Sequence, residues 1–367
     1  MKKRTGKAVL AALIISCIGM TGCGKEEQSV LPLQETAEGD QAAYRVVLTD
    51  GSDTNEIFRI GRLSCSRAQA ILYLSNMQER YSSIYSDGIW QRKIDGQSIE
   101  EKLKNITLSR LTQVKSMVLM ADERGITLSD EDEAKVEQAT DQYCVNLTPD
   151  VSNAGITREE VKTCFEEMAI ADKVYQQIIQ ETQPEISDDE ARCVTVSRIL
   201  LKTYREDAQG NRIEFSEKER ADTYQKALML LSRLNQGEDF DQLAAANNEG
   251  DRITVSFGKG ETEEAVEKAA FELGNDQLSS VVESSEGYLI MKCVQAFDRQ
   301  QTDLRKEEIA RRKKEESFLH IYEEFTKSQI RTINEEAWDS IRLDVTKQDK
   351  TENFFELYMK VFEQDQT

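Results

Sequence analysis

Histidine is almost absent from this chain: His320 is the only one in 367 residues. No Cys-x-x-Cys pair occurs either, so nothing in the sequence supports a structural zinc site, and no cofactor or metal is expected. Prolines number three, Pro32, Pro149 and Pro184, which leaves long stretches free to form helices. Excess basic charge is missing as well. Lys and Arg total 47 against 68 Asp and Glu, a net charge of −21, and such a surface excludes nucleic acid as the natural partner. No apolar run reaches the roughly 20 residues that a membrane-spanning helix needs; Ala8 to Met20 is too short.

What is present begins with residues 1–22. Lys2, Lys3, Arg4 and Lys7 precede the apolar run, which ends in Met20-Thr21-Gly22-Cys23. A positive start, an apolar centre and small residues before a cysteine make a secretion signal of the lipoprotein kind. Cleavage would leave Cys23 as a lipid-modified N-terminus, on the extracytoplasmic face of a cell membrane. The signal carries four positive charges and no negative one, so the remainder has a net charge of −25. That charge opposes binding to anionic lipid, and attachment would depend on the lipid at Cys23. Residues 23–43 are poor in apolar side chains and read as a flexible tether.

Beyond Cys23 the cysteines are Cys65, Cys144, Cys164, Cys193 and Cys293. An odd number cannot all pair internally, and most have apolar neighbours, so they read as small buried residues. A Cys144–Cys164 bridge stays open.

Residues 44–193 read as mainly helical. Val46-Val47-Leu48 and Ile57 to Ile60 suggest a hairpin at the start. Helices follow, opened by Ser66, Ser98, Ser129, Thr157 and Ser187. Ser98 with Glu101, and Thr157 with Glu160, have capping-box spacing. The stripe Val161, Phe165, Met168, Ala171, Tyr175 and Ile178 marks a core-facing helix. Between 194 and 297 the texture is mixed: strands at 194–201, 253–257, 278–282 and 287–296, with helices at 216–235, 239–247 and 263–273. This is the size of one α+β domain. Residues 298–367 return to helix and are expected to pack back on the N-terminal region, with Ile341, Leu343 and Val345 as a strand candidate beside the early hairpin. An amphipathic helix at 353–362 is expected to dock on the protein's own core.

The middle segment resembles a parvulin-type peptidyl-prolyl isomerase domain. Val196-Ser197-Arg198-Ile199-Leu200-Leu201-Lys202-Thr203 is similar to its opening strand, and Gly237-Glu238-Asp239-Phe240-Asp241-Gln242-Leu243-Ala244 to its G-E-D-F-x-x-L-A turn. Phe257-Gly258-Lys259-Gly260, Glu267 to Leu273 and Gly287 to Lys292 continue the series in order. The helical surroundings, with Gly125 to Glu131 and Ile186 to Ala191, resemble extracytoplasmic foldases of the PrsA and SurA type. The resemblance implies an α+β protein: a mainly helical, chaperone-like N- and C-terminal domain with an inserted parvulin-like domain.

It also implies a site. Prolyl isomerisation must lower a barrier of roughly 18–20 kcal/mol set by amide resonance, without covalent chemistry. The family is understood to use two histidines, a nearby acid or cysteine, and an apolar slot. Here the two histidine positions carry Arg198 and Leu289, and the acid or cysteine position aligns with Ile253. The slot positions carry Thr262 and Val266, with Phe257 and Phe271 beside them. Leu289 has no hydrogen-bonding group and Arg198 is permanently charged. The expectation is therefore a membrane-anchored foldase or chaperone for unfolded, newly secreted polypeptides, with weak or absent catalysis. An active isomerase with an atypical site, and an assembly lipoprotein that binds one partner, remain the alternatives. Homodimerisation stays open.

Overall fold

The computed structural model describes residues 45–48, 55–94, 96–145, 155–342 and 352–362. The signal, Cys23, the whole of the tether, Leu343 and Val345 lie outside them. In chain order the N-terminal part holds β1 (Arg45–Leu48), β2 (Glu56–Ile60), β3 (Leu63–Ser66), α1 (Arg67–Tyr85), a small hairpin of β4 (Lys93–Ile94) and β5 (Gln97–Ser98), α2 (Ile99–Arg124), α3 (Asp130–Val145) and α4 (Arg158–Glu181). The middle part holds α5 (Asp188–Ala191), β6 (Cys193–Lys202), the hairpin β7 (Tyr204–Glu206) and β8 (Arg212–Glu214), α6 (Glu217–Asn235), α7 (Phe240–Asn247), β9 (Thr254–Gly258), α8 (Glu264–Phe271), β10 (Val282–Glu283) and β11 (Gly287–Gln295). The C-terminal part holds α9 (Arg299–Lys327), β12 (Ile330–Ile333), α10 (Glu335–Asp339) and α11 (Phe354–Phe362). The fold is α+β, mainly helical around a mixed middle segment.

Two compact units result: residues 1–182 with 317–367, and residues 183–316. In the first, the helix starts are fixed by local chemistry. Ser66 and Ser98 each close a capping box, with Gln69 and Glu101. Thr157 caps the Glu160 amide at 3.2 Å, but the Glu160 carboxylate accepts instead from the Ser66 hydroxyl at 3.0 Å, tying α4 to the start of α1. The stripe read from the sequence is the buried face of α4; Val161, Phe165 and Ala171 are fully enclosed. On it sits α11, with the Phe354 and Phe165 rings stacked at 4.2 Å. Asn76 fixes the start of that helix, accepting the Phe354 amide at 2.8 Å while it donates to the Tyr143 hydroxyl. The Tyr358 hydroxyl donates to Asp172 at 2.6 Å, and burial followed by that carboxylate raises its pKa well above the ordinary tyrosine range.

The small sheet of this unit differs from the sequence expectation. The early segments do not form a hairpin with each other. Strand β12 lies between them, parallel to β1 and antiparallel to β2, and β2 forms its hairpin with β3. The late strand is thus 330–333. Ile341 follows α10 in coil and is buried in the core.

The second unit is a four-stranded antiparallel sheet in the order β10-β11-β6-β9. Side chains alternate across it. Ile199, Leu201, Tyr288 and Ile290 face α6 and α7, while Val194, Val196, Leu200, Leu289 and Met291 face α8. Of the expected strand at 278–282, an isolated bridge from Leu278 to Lys292 and the two residues of β10 form. Cys65, Cys144, Cys164, Cys193 and Cys293 are all free thiols.

Candidate functional site

One cavity of about 200 Å³ opens on the α8 face of the second unit's sheet. Register builds it. Arg198 stands opposite Met291, Leu200 opposite Leu289, and Val196 opposite Val255. Residues two apart on a strand share a face, so Val196 and Arg198, Val255 and Phe257, and Leu289 and Met291 all project to the same side. Helix α8 lays Val266 against them, and the β9–α8 turn adds Glu261 and Thr262 as a lip. The floor is hydrocarbon: Val196, Met291 and Leu289 are 0%, 1% and 4% exposed.

Five of the seven expected positions, Arg198, Leu289, Phe257, Thr262 and Val266, therefore line one cavity. Phe271 does not. It follows Val266 by five residues, about 140° around a helix, and leaves the face that Val266 and Ala270 share. Its ring lies 6.3 Å from Phe257, with the Arg192 guanidinium 5.3 Å from its centroid. Ile253 is not in the site either. A bend before β9 turns its side chain to the core on the opposite side of the sheet, and only its carbonyl approaches, accepting the Arg198 amide at 2.7 Å. The residue against Arg198 is Gly250: a Cβ there would stand 3.5 Å from the guanidinium. Val196, Val255, Met291, Ser256 and Glu261 are lining residues that the sequence reading passed over. Strand parity with Arg198, Phe257 and Leu289 was the signal for the first three.

The charged groups of the lining are Arg198 and Glu261. Arg198 Nε donates to the Arg252 carbonyl at 3.2 Å. Glu261 is held on both oxygens, by the Arg305 guanidinium of α9 and by the Gly258 amide at 2.8 Å. Arg305 lies flat where any side chain at Gly258 would be, and also donates to the Lys259 carbonyl at 2.5 Å. Lys259 itself pairs with Asp189 at 2.8 Å, and that hydrogen bond holds the Asp189 carboxyl below its usual range. Among the described residues no group of three His, Cys, Asp or Glu is placed to hold a metal. No described helix is long and apolar enough to cross a membrane.

Residues 199–295 match the rotamase family, described as a PPIC-type PPIase domain. The sheet and the cavity lie in a parvulin-type domain. Around it the chain is similar to the foldase protein PrsA of Clostridium acetobutylicum, 22% identical over 263 residues that cover 64% of this chain and 72% of that one. It is also similar to the chaperone SurA of Methylococcus capsulatus, 29% identical over 131 residues, 34% of this chain and 28% of that one. Among solved structures, the peptidylprolyl isomerase PrsA of Bacillus cereus is 20% identical with a TM-score of 0.33, over 73% of this chain and 97% of that one. The chain is thus a PrsA- and SurA-like protein carrying a parvulin domain.

Proposed function

We propose that the protein is an extracytoplasmic foldase or chaperone, anchored through lipid on Cys23, that holds unfolded secreted polypeptides. Its parvulin domain binds proline-containing segments on the apolar floor of the cavity and contributes little or no isomerase catalysis. The lipobox-like end at Cys23 supports the anchor, and the PrsA- and SurA-like character of the chain supports the client class. One observation carries the reading of the site: at the two positions where the family is understood to place histidines stand Arg198 and the buried, hydrocarbon Leu289. A twisted amide is preferred over a planar one when polar groups meet its carbonyl and nitrogen. Leu289 offers none, and neither do Val196, Val255 or Met291 on the cavity floor. What the floor supplies is desolvation of the proline ring, which binds without requiring proton transfer, and Arg198 at the rim is a fixed charge that cannot exchange a proton.

The test is refolding of a reporter limited by proline isomerisation, with the native protein or its Arg198→His, Leu289→His double variant added. The native protein is expected to leave the slow phase almost unchanged. Acceleration at the level of an active parvulin would overturn the reading and favour an isomerase with an atypical site. Aggregation of a denatured client, followed in parallel, should be suppressed by the native protein at stoichiometric amounts.

A further inference from the structure

The rim of the cavity holds two charged side chains in opposite conditions. Glu261 has both oxygens engaged, one by the Arg305 guanidinium and one by the Gly258 amide. Arg198 has its Nε on the Arg252 carbonyl, and among the described residues no carboxylate pairs with its guanidinium. The neighbouring Glu249 is occupied elsewhere, accepting the Lys202 amide at 2.7 Å and standing 3.5 Å from Lys226. Lys259, the other cation of the turn, is paired with Asp189. Gly250 leaves the guanidinium room to lie beside the backbone, because it has no side chain to displace it. Among the described residues Arg198 is the one cation in the lining, half-buried and paired with no carboxylate, above an apolar floor.

From this we infer a sequence preference. The cavity selects proline segments that carry an acidic residue next to the proline. The inference rests on the proposed binding of proline segments and names which of them the site takes. Its basis is charge complementarity. With the ring seated on Val196, Leu289, Met291 and Val266, the adjacent residue leaves over the rim, where Arg198 is the open partner. A guanidinium presents paired N–H donors that match a carboxylate, and such charge-assisted contacts exceed neutral ones. A basic residue at the same place would meet Arg198 as a like charge. The rest of the surface does not supply this preference: the strongly negative chain repels anions, and at physiological salt charges beyond about 8 Å are screened.

The experiment uses the purified full chain in mild detergent and fluorescent blocked hexapeptides. These contain one proline flanked by alanine, or by glutamate or lysine on one side or the other. Fluorescence anisotropy in about 0.15 M salt gives each Kd. At least one glutamate peptide is expected to bind about five-fold more tightly than the alanine peptide, the size of a well-formed exposed ion pair, and the lysine peptide more weakly. In Arg198→Gln the glutamate-to-alanine ratio should fall to one, while Arg198→Lys should retain a ratio above one. An unchanged thermal transition in each variant excludes misfolding as the cause. Equal binding of glutamate and alanine peptides, or a preference that survives Arg198→Gln, overturns the inference and leaves proline binding standing. Failure of every peptide to bind overturns the proline-binding reading itself, and this inference with it.

Discussion

Lys115 and Glu167 form an ion pair inside the helical unit, Nζ to Oε1 2.5 Å, with side chains 3% and 13% exposed. Burial drives the Glu167 carboxyl above its ordinary range, and Lys115 only partly offsets that push. Both charges have lost their hydration, so each depends on the other. Replacing Lys115 by Met keeps the volume roughly constant and leaves the carboxylate alone beside Cys65 and Cys164, whose thiols burial also pushes upward. Breaking a buried pair in this way costs about 3–5 kcal/mol. At about 2–4 °C per kcal/mol for a unit of this size, melting should fall by roughly 6–20 °C. The sign with pH follows from Glu167. A carboxyl whose folded pKa lies above its unfolded one favours the fold at low pH and loses that favour as pH rises through the folded value. The Lys115→Met defect should therefore be larger at pH 8 than at pH 5. Adding Glu167→Gln should restore most of the loss. Trp90 and Trp338 are the two tryptophans and both lie in this unit, so urea unfolding followed by tryptophan fluorescence reads it directly. A single-variant loss below about 1 kcal/mol, or a double variant no more stable than the single, would refute the argument.

Two further outcomes are expected. Gly287 has φ +145°, and a Cβ there would overlap the Leu201 carbonyl oxygen and stand 2.9 Å from the Lys202 Cα, both backbone. Gly287→Ala should cost more than about 1 kcal/mol in chemical denaturation and weaken peptide binding in the cavity, because it disturbs the β6–β11 register that presents Leu289. Asp132 is partly buried, which raises its pKa, but hydrogen bonds from Lys173 and Ser129 outweigh this and bring it down to about 2. A depressed carboxylate stabilises the fold above its unfolded pKa and ceases to as pH falls through the folded one. Asp132→Asn should accordingly flatten the part of an acid-unfolding titration between about pH 4 and pH 2.

The parvulin domain was legible because its signals are local. The five sequence blocks each fall on a strand, turn or helix, and the serine caps at 66, 98 and 187 open helices where the spacing placed them. The pairing of Val46 with Arg331 was not legible, because two four-residue strands nearly 300 residues apart carry no shared pattern. Of the site, Arg198 and Leu289 were readable since they sit in ungapped stretches of alternating strand. Ile253 was misplaced because a bend before β9 interrupts the alternation there. Phe271 was misplaced because an aromatic residue beside a slot motif reads the same whether it faces the slot or turns a further 140° around its helix.

The parallel pairing of β1 with β12 has a kinetic consequence. The middle unit, 183–316, is one continuous stretch of chain, so all its contacts can form as soon as that stretch is available. The helical unit cannot be completed until residues 330–333 and 354–362 arrive, since the strand beside β1 and the helix stacked on Phe165 both come from there. For a chain delivered from its N-terminus, contacts of such high sequence separation are the slow ones. Until they close, the part of the core on α1, α3 and α4 that α11 covers stands open. A protein proposed to shelter unfinished chains thus passes, during its own synthesis, through the condition of its clients.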